Sequence, residues 1–487
     1  MKRILASFIL CFTVLSLWAQ AAAPDRANWT LEECIRYATE NNISVKQADL
    51  YKRISKNTYL QSKLNLLPTI SANASYNFNY GNSINPTTYT YVQENSQSFS
   101  PNLQANLNLF TGLQQLHSIK KDKYDLMAFS FDYSATVNST VLTVTNLFLQ
   151  VVVNKELVKV AQKQVDLSQS QLDVQKRRIS AGTMAEASVY DFEAQLARDQ
   201  ASLIAQQNAE AISNITLKIA LQLPDNAPFD IIIPEVNVGS VMAFGNLNPH
   251  EIFQYALSTQ PVIQAAQARV TSSHYSVKIA KGSLSPTIYM SAFSHDNWFN
   301  LASQPDQISY SLAAATASRP IFSDLTSAPT IVGYDRLQIN YTTKPVSFSD
   351  QFKNNLANGF SFNMNIPIFT GWQKMTNIAN SKLQYQIQQL NLESAKNGLE
   401  RDIYQSYANA KGNAESYSAN LKALEASQKA FETTTKRYNA GLATNYDLEI
   451  SKSNLARAES GAVQSKYNYI FSVKVLDFYQ GKPITLN

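Results

Sequence analysis

The sequence predicts a mainly α-helical protein with transmembrane β-strands, built from two copies of one unit of helices and strands. Three observations predict this fold class: an internal repeat, four segments of alternating polarity, and two very long helical segments. Charged residues make up only 16% of the 487 residues, and the formal net charge is +5. This nearly even balance argues against nucleic acid as a partner.

Residues 1–21 have the pattern of a signal peptide. Lys2-Arg3 precedes an apolar run from Ile4 to Leu17, and Ala19-Gln20-Ala21 provides the small residues of a cleavage site. A buried N-terminal helix is the alternative. No later apolar run reaches about 18 residues, so we expect the mature chain to be soluble outside the cytoplasm or to span a membrane as strands. It would retain one cysteine, Cys34, and form no internal disulfide.

The two halves of the chain share short motifs at constant spacing. Glu33 recurs as Glu251, 218 positions later, and Phe110-Thr111-Gly112 recurs as Phe369-Thr370-Gly371, 259 positions later. The second copy therefore carries 41 additional residues between these motifs. We expect repeats at 30–223 and 248–477, a linker rich in proline and glycine at 224–247, and a C-terminal tail at 478–487.

Four segments alternate between apolar and polar residues, which predicts strands with two different faces. Their polar face consists of Asn and Ser rather than charged residues, as in outer-membrane barrels, although a soluble β-sandwich remains the alternative. Four strands cannot close a barrel, because single-chain barrels need about eight, so several copies must share one. The predicted strands are 69–80, 99–110, 286–295 and 359–369, joined by exposed loops at 81–98 and 296–358. The strand at 286–295 alternates least clearly, because Tyr289 and Phe293 stand on its polar side.

The segment 113–180 contains neither proline nor glycine and predicts one long helix. Valines recur every seventh residue in one column that includes Val144 and Val151, and a second column that includes Val153 and Val160 lies on the opposite flank. Two apolar flanks favour a cylinder of helices, whereas a plain antiparallel coiled coil would need only one. The other predicted helices are the short helices within 31–66 and 249–284, the second long helix 372–439, and the return helices 185–221 and 445–476.

The order of these elements, together with Arg437-Tyr438-Asn439-Ala440-Gly441 and the two Phe-Thr-Gly motifs, resembles the TolC family of outer-membrane efflux proteins. The resemblance implies a homotrimer whose four strands per subunit form a shared twelve-stranded β-barrel, continued by a periplasmic α-helical barrel. It also implies that the linker 224–247 and the tail form a belt around the helices.

The resemblance implies a function as well. Such a protein would be the passive exit duct of a tripartite efflux or type I secretion system, in the cell outer membrane and in contact with its lipid. It would receive small molecules or polypeptides from a periplasmic adaptor (membrane fusion) protein and an inner-membrane pump. A secreted helical scaffold or adhesin is the alternative, and the sequence does not indicate the cargo.

The resemblance assigns roles to residues at the helix ends. The tips that would dock the adaptor match Gly182, Thr183, Met184, Gly441, Leu442 and Ala443. The periplasmic gate matches Tyr438 and Asp447, with Arg437, Glu186, Asp191 and Ser188 as further candidates. Ser188 stands where the first copy would carry the counterpart of Asp447, and Ala443 replaces a basic residue of some members. The structural alternatives are that Tyr438 serves only in helix packing and that Arg437 lies at a solvated helix end.

No catalytic or cofactor-binding arrangement is visible in the sequence. We find no grouping of nucleophile, base and orienting residue, so we expect no enzyme activity. The four histidines are scattered without metal-ligand spacing, which favours no metal site. Only 14 glycines are present, and neither a dinucleotide fingerprint nor a phosphate-binding loop occurs, so no cofactor is expected.

Overall fold

The computed structural model describes residues 28–85, 89–182, 186–233, 248–313, 318–321, 330–333 and 336–485. The predicted signal peptide and residues 234–247 of the predicted linker lie outside this part of the chain. The helices are α1 (Leu31–Asn41), α2 (Ile43–Leu64), α3 (Gln114–Ser180), α4 (Val189–Leu221), α5 (Pro249–Thr259), α6 (Pro261–Gly282), α7 (Phe348–Asn354), α8 (Gln373–Asn439) and α9 (Asn445–Tyr479). The strands are β1 (Asn28–Trp29), β2 (Thr69–Asn79), β3 (Asn82–Ile84), β4 (Tyr91–Gln93), β5 (Ser96–Phe110), β6 (Asp230–Ile231), β7 (Thr287–His295), β8 (Trp298–Phe299), β9 (Ser303–Ala313), β10 (Ser318–Ile321), β11 (Thr330–Gly333), β12 (Arg336–Pro345) and β13 (Ala357–Asn365).

The chain divides into two compact units, which are described separately. Among the described residues, those of the strand unit fall within 60–119 and 275–381, and those of the helical unit fall within 28–59, 120–274 and 382–485. Each unit combines segments from both halves of the chain. The predicted order of two helices, two strands, a long helix and a return helix is followed in each half, with additional short elements between.

The strand unit contains an antiparallel sheet with the order β13-β7-β5-β2. Its register confirms the predicted alternation, because Ile70 pairs with Ala105 and Ala72 with Leu103, whereas Ser71 pairs with Gln104. Most apolar residues of the four strands therefore share one face and most polar residues share the other, with Tyr289 and Phe293 of β7 on the polar face. Within the described residues, β2 and β13 each pair on one side only, which leaves two open edges.

Several strand boundaries differ from the prediction. Strand β5 begins at Ser96 rather than 99, because its polar first residues still pair with β2. Strand β7 begins at Thr287, and β13 covers Ala357–Asn365 instead of 359–369. The end of β13 has a clear cause, since Pro367 has no backbone N–H to donate to a neighbouring strand.

The segment 296–358, predicted as a loop, contains regular structure. Strands β9 and β12 form a long antiparallel hairpin, in which Leu312 pairs with Leu337 and Tyr310 with Ile339. Helix α7 follows it, and the buried Gln351 fixes the segment: its Nε2 donates to the carbonyls of Phe299 and Val346, both at 2.9 Å. The loop prediction was therefore wrong for most of this segment.

The helical unit has a hydrophobic core where α3 meets α1, α4 and α9. Phe148, Val151, Leu217 and Ile470 in this core are fully buried. Helix α1 begins with a capping box, in which the Thr30 hydroxyl accepts from the Glu33 amide at 3.3 Å. The capping box fixes the start of α1 and so positions its buried face on α3.

Both predicted columns of α3 contribute to this core. Val144 and Val151 of the first column and Val153 and Val160 of the second are buried. Among the described residues, α3 also contains the one 18-residue window that is apolar enough to cross a membrane by length and composition. A buried core helix meets the same criterion, and 44% of this window is buried. Burial on both flanks accounts for its apolar character.

Helix α8 is packed on one flank only. Its column of Ile403, Ala410 and Tyr417 is buried, whereas Gly412 and Ala419 on the other flank are exposed. Both long helices begin one residue later than predicted and end where predicted. The second flank of α8 is thus free to pack against another molecule.

The return helices differ from the prediction at one end each. Residue 185 lies outside the described residues, and a 3₁₀ turn at Glu186–Ser188 precedes α4. Helix α9 extends to Tyr479, into the predicted tail, and ends just before Gly481, which has the left-handed φ of 75°. In the predicted linker, β6 pairs in parallel with β1, which places Ile231 beside Trp29 in the core.

Cys34 lies in this core and is fully buried. Burial, together with the neighbouring Glu33 and Glu32 carboxylates, raises the pKa of its thiol to about 12. We expect the folded protein to resist maleimide at pH 7.5, because thiolate is the reactive form. Mass spectrometry should show labelling only after unfolding. Rapid labelling of the folded protein would contradict this packing.

Candidate functional site

Each long helix ends at a glycine with a left-handed backbone. Gly182 has φ 71° and Gly441 has φ 75°. The Gly441 N–H donates to the Tyr438 carbonyl at 3.0 Å, and the Leu442 N–H donates to the Arg437 carbonyl at 2.8 Å. These hydrogen bonds satisfy the last carbonyls of the helix. A Cβ at either glycine would meet no atom within 4 Å, so backbone conformation rather than crowding explains the glycines.

The described tip residues are exposed to different degrees. Leu442 is 69% exposed, and Ala443 is partly buried. Thr183 and Met184, predicted to belong to the first tip, lie outside the described residues. An exposed leucine beside an open glycine provides a small apolar surface that a partner can contact. The docking role of both tips stays a prediction.

Asp447 caps the helix that follows the second tip. Its Oδ2 accepts from the Thr444 N–H at 2.9 Å and from the Thr444 hydroxyl at 2.7 Å. The Thr444 hydroxyl in turn accepts from the Asp447 N–H at 3.1 Å, which completes a capping box. The side-chain and backbone hydrogen bonds of Thr444 lower the pKa of Asp447. This carboxylate therefore stays ionised at neutral pH and fixes the start of α9.

The other charged gate candidates lie at the surface of the tips. Arg437 donates to the Leu442 carbonyl at 3.3 Å, and no salt bridge joins it to Asp447 within the described residues. Glu186 and Asp191 are exposed, and Ser188 precedes α4 with helical dihedrals, φ −70° and ψ −17°. The structure thus brings Arg437 close to the second tip without forming a charge pair there.

Tyr438 joins the two long helices near their ends. Its hydroxyl accepts a hydrogen bond from Gln175 Nε2 at 2.7 Å. Gln175 is 1% exposed, and the Arg178 guanidinium lies 5.9 Å from the centre of the tyrosine ring. Burial raises the pKa of Tyr438, and Arg178 and the Gln175 hydrogen bond partly oppose this shift. The neutral phenol therefore links α8 to α3 at physiological pH.

A buried ion pair lies one to two turns further from the tips. Lys452 on α9 is 2% exposed and donates to Asp199 Oδ2 on α4 at 2.6 Å. Ser168 on α3 hydrogen-bonds with both groups, and Gln195 Nε2 donates to Asp199 Oδ1 at 3.0 Å. Three helices from both halves of the chain are thereby joined through one buried polar cluster.

The sequence analysis missed this cluster and Gln175. The position of Lys452 in the sequence could have indicated the cluster. Lys452 lies four residues after Leu448 and three before Leu455, on the same helix face, and both leucines are buried. A lysine on the buried face of a helix requires a partner of opposite charge. The sequence alone does not identify that partner among the many acidic residues.

Comparisons with known proteins identify the family. The model of the family described as "Outer membrane efflux protein" matches residues 34–221 and 336–481, more than half of the chain. The chain is 20% identical to the outer membrane efflux protein BepC of Brucella suis over 470 residues, which cover 96% of this chain and 88% of that protein.

Solved structures show the same fold. The structure of CusC superimposes with a TM-score of 0.72 at 14% identity, covering 93% of this chain and 92% of that chain. The open state of the MtrE outer membrane channel of Neisseria gonorrhoeae gives a TM-score of 0.67 at 18% identity, covering 92% of this chain and 88% of that chain. The predicted TolC-like fold class is confirmed. The chain belongs to the outer membrane efflux protein family, as an outer-membrane channel with a periplasmic part and not an enzyme.

Proposed function

We propose that three copies of the chain close a shared twelve-stranded barrel and form the exit duct of a tripartite efflux or type I secretion system. The observation that carries this proposal is the four-stranded sheet with one apolar face, one uncharged polar face and two open edges. Unpaired strand edges and an exposed apolar face are stable in a membrane only when further strands complete a barrel.

The helical unit supports association of several copies. Large apolar side chains on α4 and α8 are exposed in the single chain, at 47% to 65% of their surface. Apolar side chains exposed along two helices indicate surfaces covered by another molecule. On α4 these residues are Tyr190, Ile204, Ile212, Ile215 and Ile219, and on α8 they are Leu383, Ile387 and Leu390.

In this proposal the helix tips dock a periplasmic adaptor, which brings cargo from an inner-membrane pump. The left-handed glycines leave open space at the tip surface, and Leu442 provides an apolar contact. Tyr438 and Gln175 hold the neighbouring long helices together and act as part of the gate. We also propose that residues 224–233 and the C-terminal tail form part of a belt around the helices.

Conductance across a planar lipid bilayer tests the duct. The purified protein should insert and give discrete current steps without any added substrate or nucleotide. A preparation that contains folded protein in the bilayer but never conducts, even after the gate is weakened as described next, would refute the duct.

Replacing Tyr438 with Phe should increase the mean conductance, because the variant loses the hydroxyl that accepts the Gln175 hydrogen bond. A lost neutral hydrogen bond of about 1 kcal/mol shifts a closed-open equilibrium about fivefold toward the open state. Tyr469→Phe is the matched control, since Tyr469 is also buried in the helical unit but lies away from the tips. Equal conductance in both variants would remove Tyr438 from the gate.

A bulky replacement at Gly441 should abolish export while the protein remains assembled in the membrane. Gly441→Trp would fill the open space at the tip that we assign to the adaptor. Gly441→Ala is the control, because it carries the same backbone strain at φ 75° without the bulk. Dye efflux and membrane abundance are measured together. Normal efflux by the Trp variant at normal abundance would overturn the docking assignment.

A further inference from the structure

We infer that Tyr289 and Phe293 form a contact site for planar aromatic molecules on the water-facing side of the sheet. The inference rests on the proposed function, because the polar face lines a channel only when several copies close the barrel. It adds a chemical class of cargo to the duct, small molecules with a flat aromatic ring, which generic Asn and Ser residues do not select.

The two side chains are exceptions on the polar face. Tyr289 pairs with Asn108 on one neighbouring strand and Asn363 on the other, and Phe293 pairs with Gln104. Elsewhere this face carries Asn, Ser, Thr and Gln, with Gly359 beside Phe293 and with Ala357 and His295 at one end. The four strands contain no Asp, Glu, Lys or Arg. The strands therefore distinguish a cargo by its ring rather than by the sign of its charge.

The Phe293 ring is held in a defined position. It reaches across to the next strand, where a Cβ built on Gly359 would lie 2.6 Å from its Cζ and 2.9 Å from its Cε1. The His295 ring lies 5.4 Å away, centre to centre, at 31°. Only glycine at 359 leaves room for this arrangement. Phe293 nevertheless stays 39% exposed, so part of its ring is open to water.

An aromatic ring that covers a glycine on an edge strand is known to stabilise β-sheets. This explanation accounts for the contact between Phe293 and Gly359, but not for Tyr289, which faces two asparagines and is 40% exposed. Tyr289 and Phe293 lie four residues apart on one strand, about 13 Å along that strand. A molecule moving along this face would meet two successive aromatic contacts.

Aromatic rings bind other flat rings and also attract cations through their faces. Each such contact changes affinity about 2- to 12-fold. The two rings are too far apart for one small ligand to contact both, so removing both side chains should raise the dissociation constant of an aromatic ligand at least about twofold. The absence of charge on the strands implies that an aromatic anion should compete with an aromatic cation.

The test measures ethidium binding by fluorescence anisotropy to the full-length channel in lipid nanodiscs, with empty nanodiscs subtracted. The double variant Tyr289→Asn/Phe293→Asn is compared with Asn108→Ser/Asn363→Ser, which alters the same face without removing a ring. We expect ethidium to bind at least about twofold more weakly to the first variant only. Naphthalene-1-sulfonate should displace ethidium, and cyclohexanesulfonate, which has the same charge but no aromatic ring, should not.

Equal ethidium affinity in the wild type and the double variant would overturn the site, as would displacement by cyclohexanesulfonate as efficient as by naphthalene-1-sulfonate. Tyr289→Asn alone is the second variant, because Phe293 also supports the edge strand. It should weaken ethidium binding by less than the double variant does, without changing the melting temperature. Bilayer conductance of the same preparations separates the two proposals: a conducting channel with unaltered ethidium binding refutes only the aromatic site, whereas a wild type that never conducts refutes the duct.

Discussion

Leu103→Arg is expected to prevent assembly in the membrane, whereas Gln104→Arg is expected to be tolerated. Leu103 lies in the middle of β5 on the apolar face, between Ala72 and Ser294. Gln104, the next residue, lies on the polar face opposite Ser71. An arginine on the lipid side at the membrane midplane costs about 2–4 kcal/mol, and one on the water side costs little.

The measurement is the fraction of each variant that detergent extracts from outer membranes as folded protein. The two substitutions add the same side chain at adjacent positions, so each serves as the control for the other. Equal extraction of both variants, or a greater loss for Gln104→Arg, would show that the apolar face does not contact lipid.

Lys452→Met should destabilise the helical unit by about 3–5 kcal/mol, because it leaves the Asp199 carboxylate buried without its cation. Lys452→Met/Asp199→Met should recover much of this loss, since replacing a whole buried pair by apolar residues is often neutral. Lys429→Met is the matched control. Lys429 pairs with Glu425 on α8, and both side chains are exposed, so we expect little change in stability.

The midpoint of guanidinium-induced loss of helical circular dichroism measures these effects in detergent. We expect a clear decrease for Lys452→Met and a midpoint close to the wild type for Lys429→Met. Similar midpoints for these two variants would show that the buried pair does not hold α4 and α9 together.

The sequence predicted the sheet because alternation is a local property of the chain. Ile70 and Ser71 take opposite faces whatever their neighbours are, so the two faces could be assigned before the register was known. The ends of strands depend on partners instead. Ser96 joins β5 only because Asn79 lies opposite, and no local pattern indicates that pairing.

The hairpin of β9 and β12 was missed by the sequence-based prediction for a different reason. Ile308, Tyr310 and Leu312 alternate with polar residues, as do Leu337 and Ile339. The exposed loop predicted at 296–358 disregards this alternation. A period-two pattern outside the repeated core is therefore evidence for a strand in its own right.

The parts of the candidate site that could be predicted are those where a residue type has a specific conformational role. Gly182 and Gly441 indicated the helix ends because glycine adopts the left-handed conformation without strain. The link between Gln175 and Tyr438 and the cluster of Lys452 with Asp199 were not predictable, since tertiary packing brings together residues more than 250 positions apart. The spacing of residues along the chain does not indicate such contacts.

A cryo-EM reconstruction of the detergent-extracted protein tests the central claim most directly. We predict three copies around one axis, with the edge strand Thr69–Asn79 of one copy paired to Ala357–Asn365 of the next, so that twelve strands enclose a water-filled lumen. A particle in which these two edges stay open, or pair within a single copy, would contradict the account.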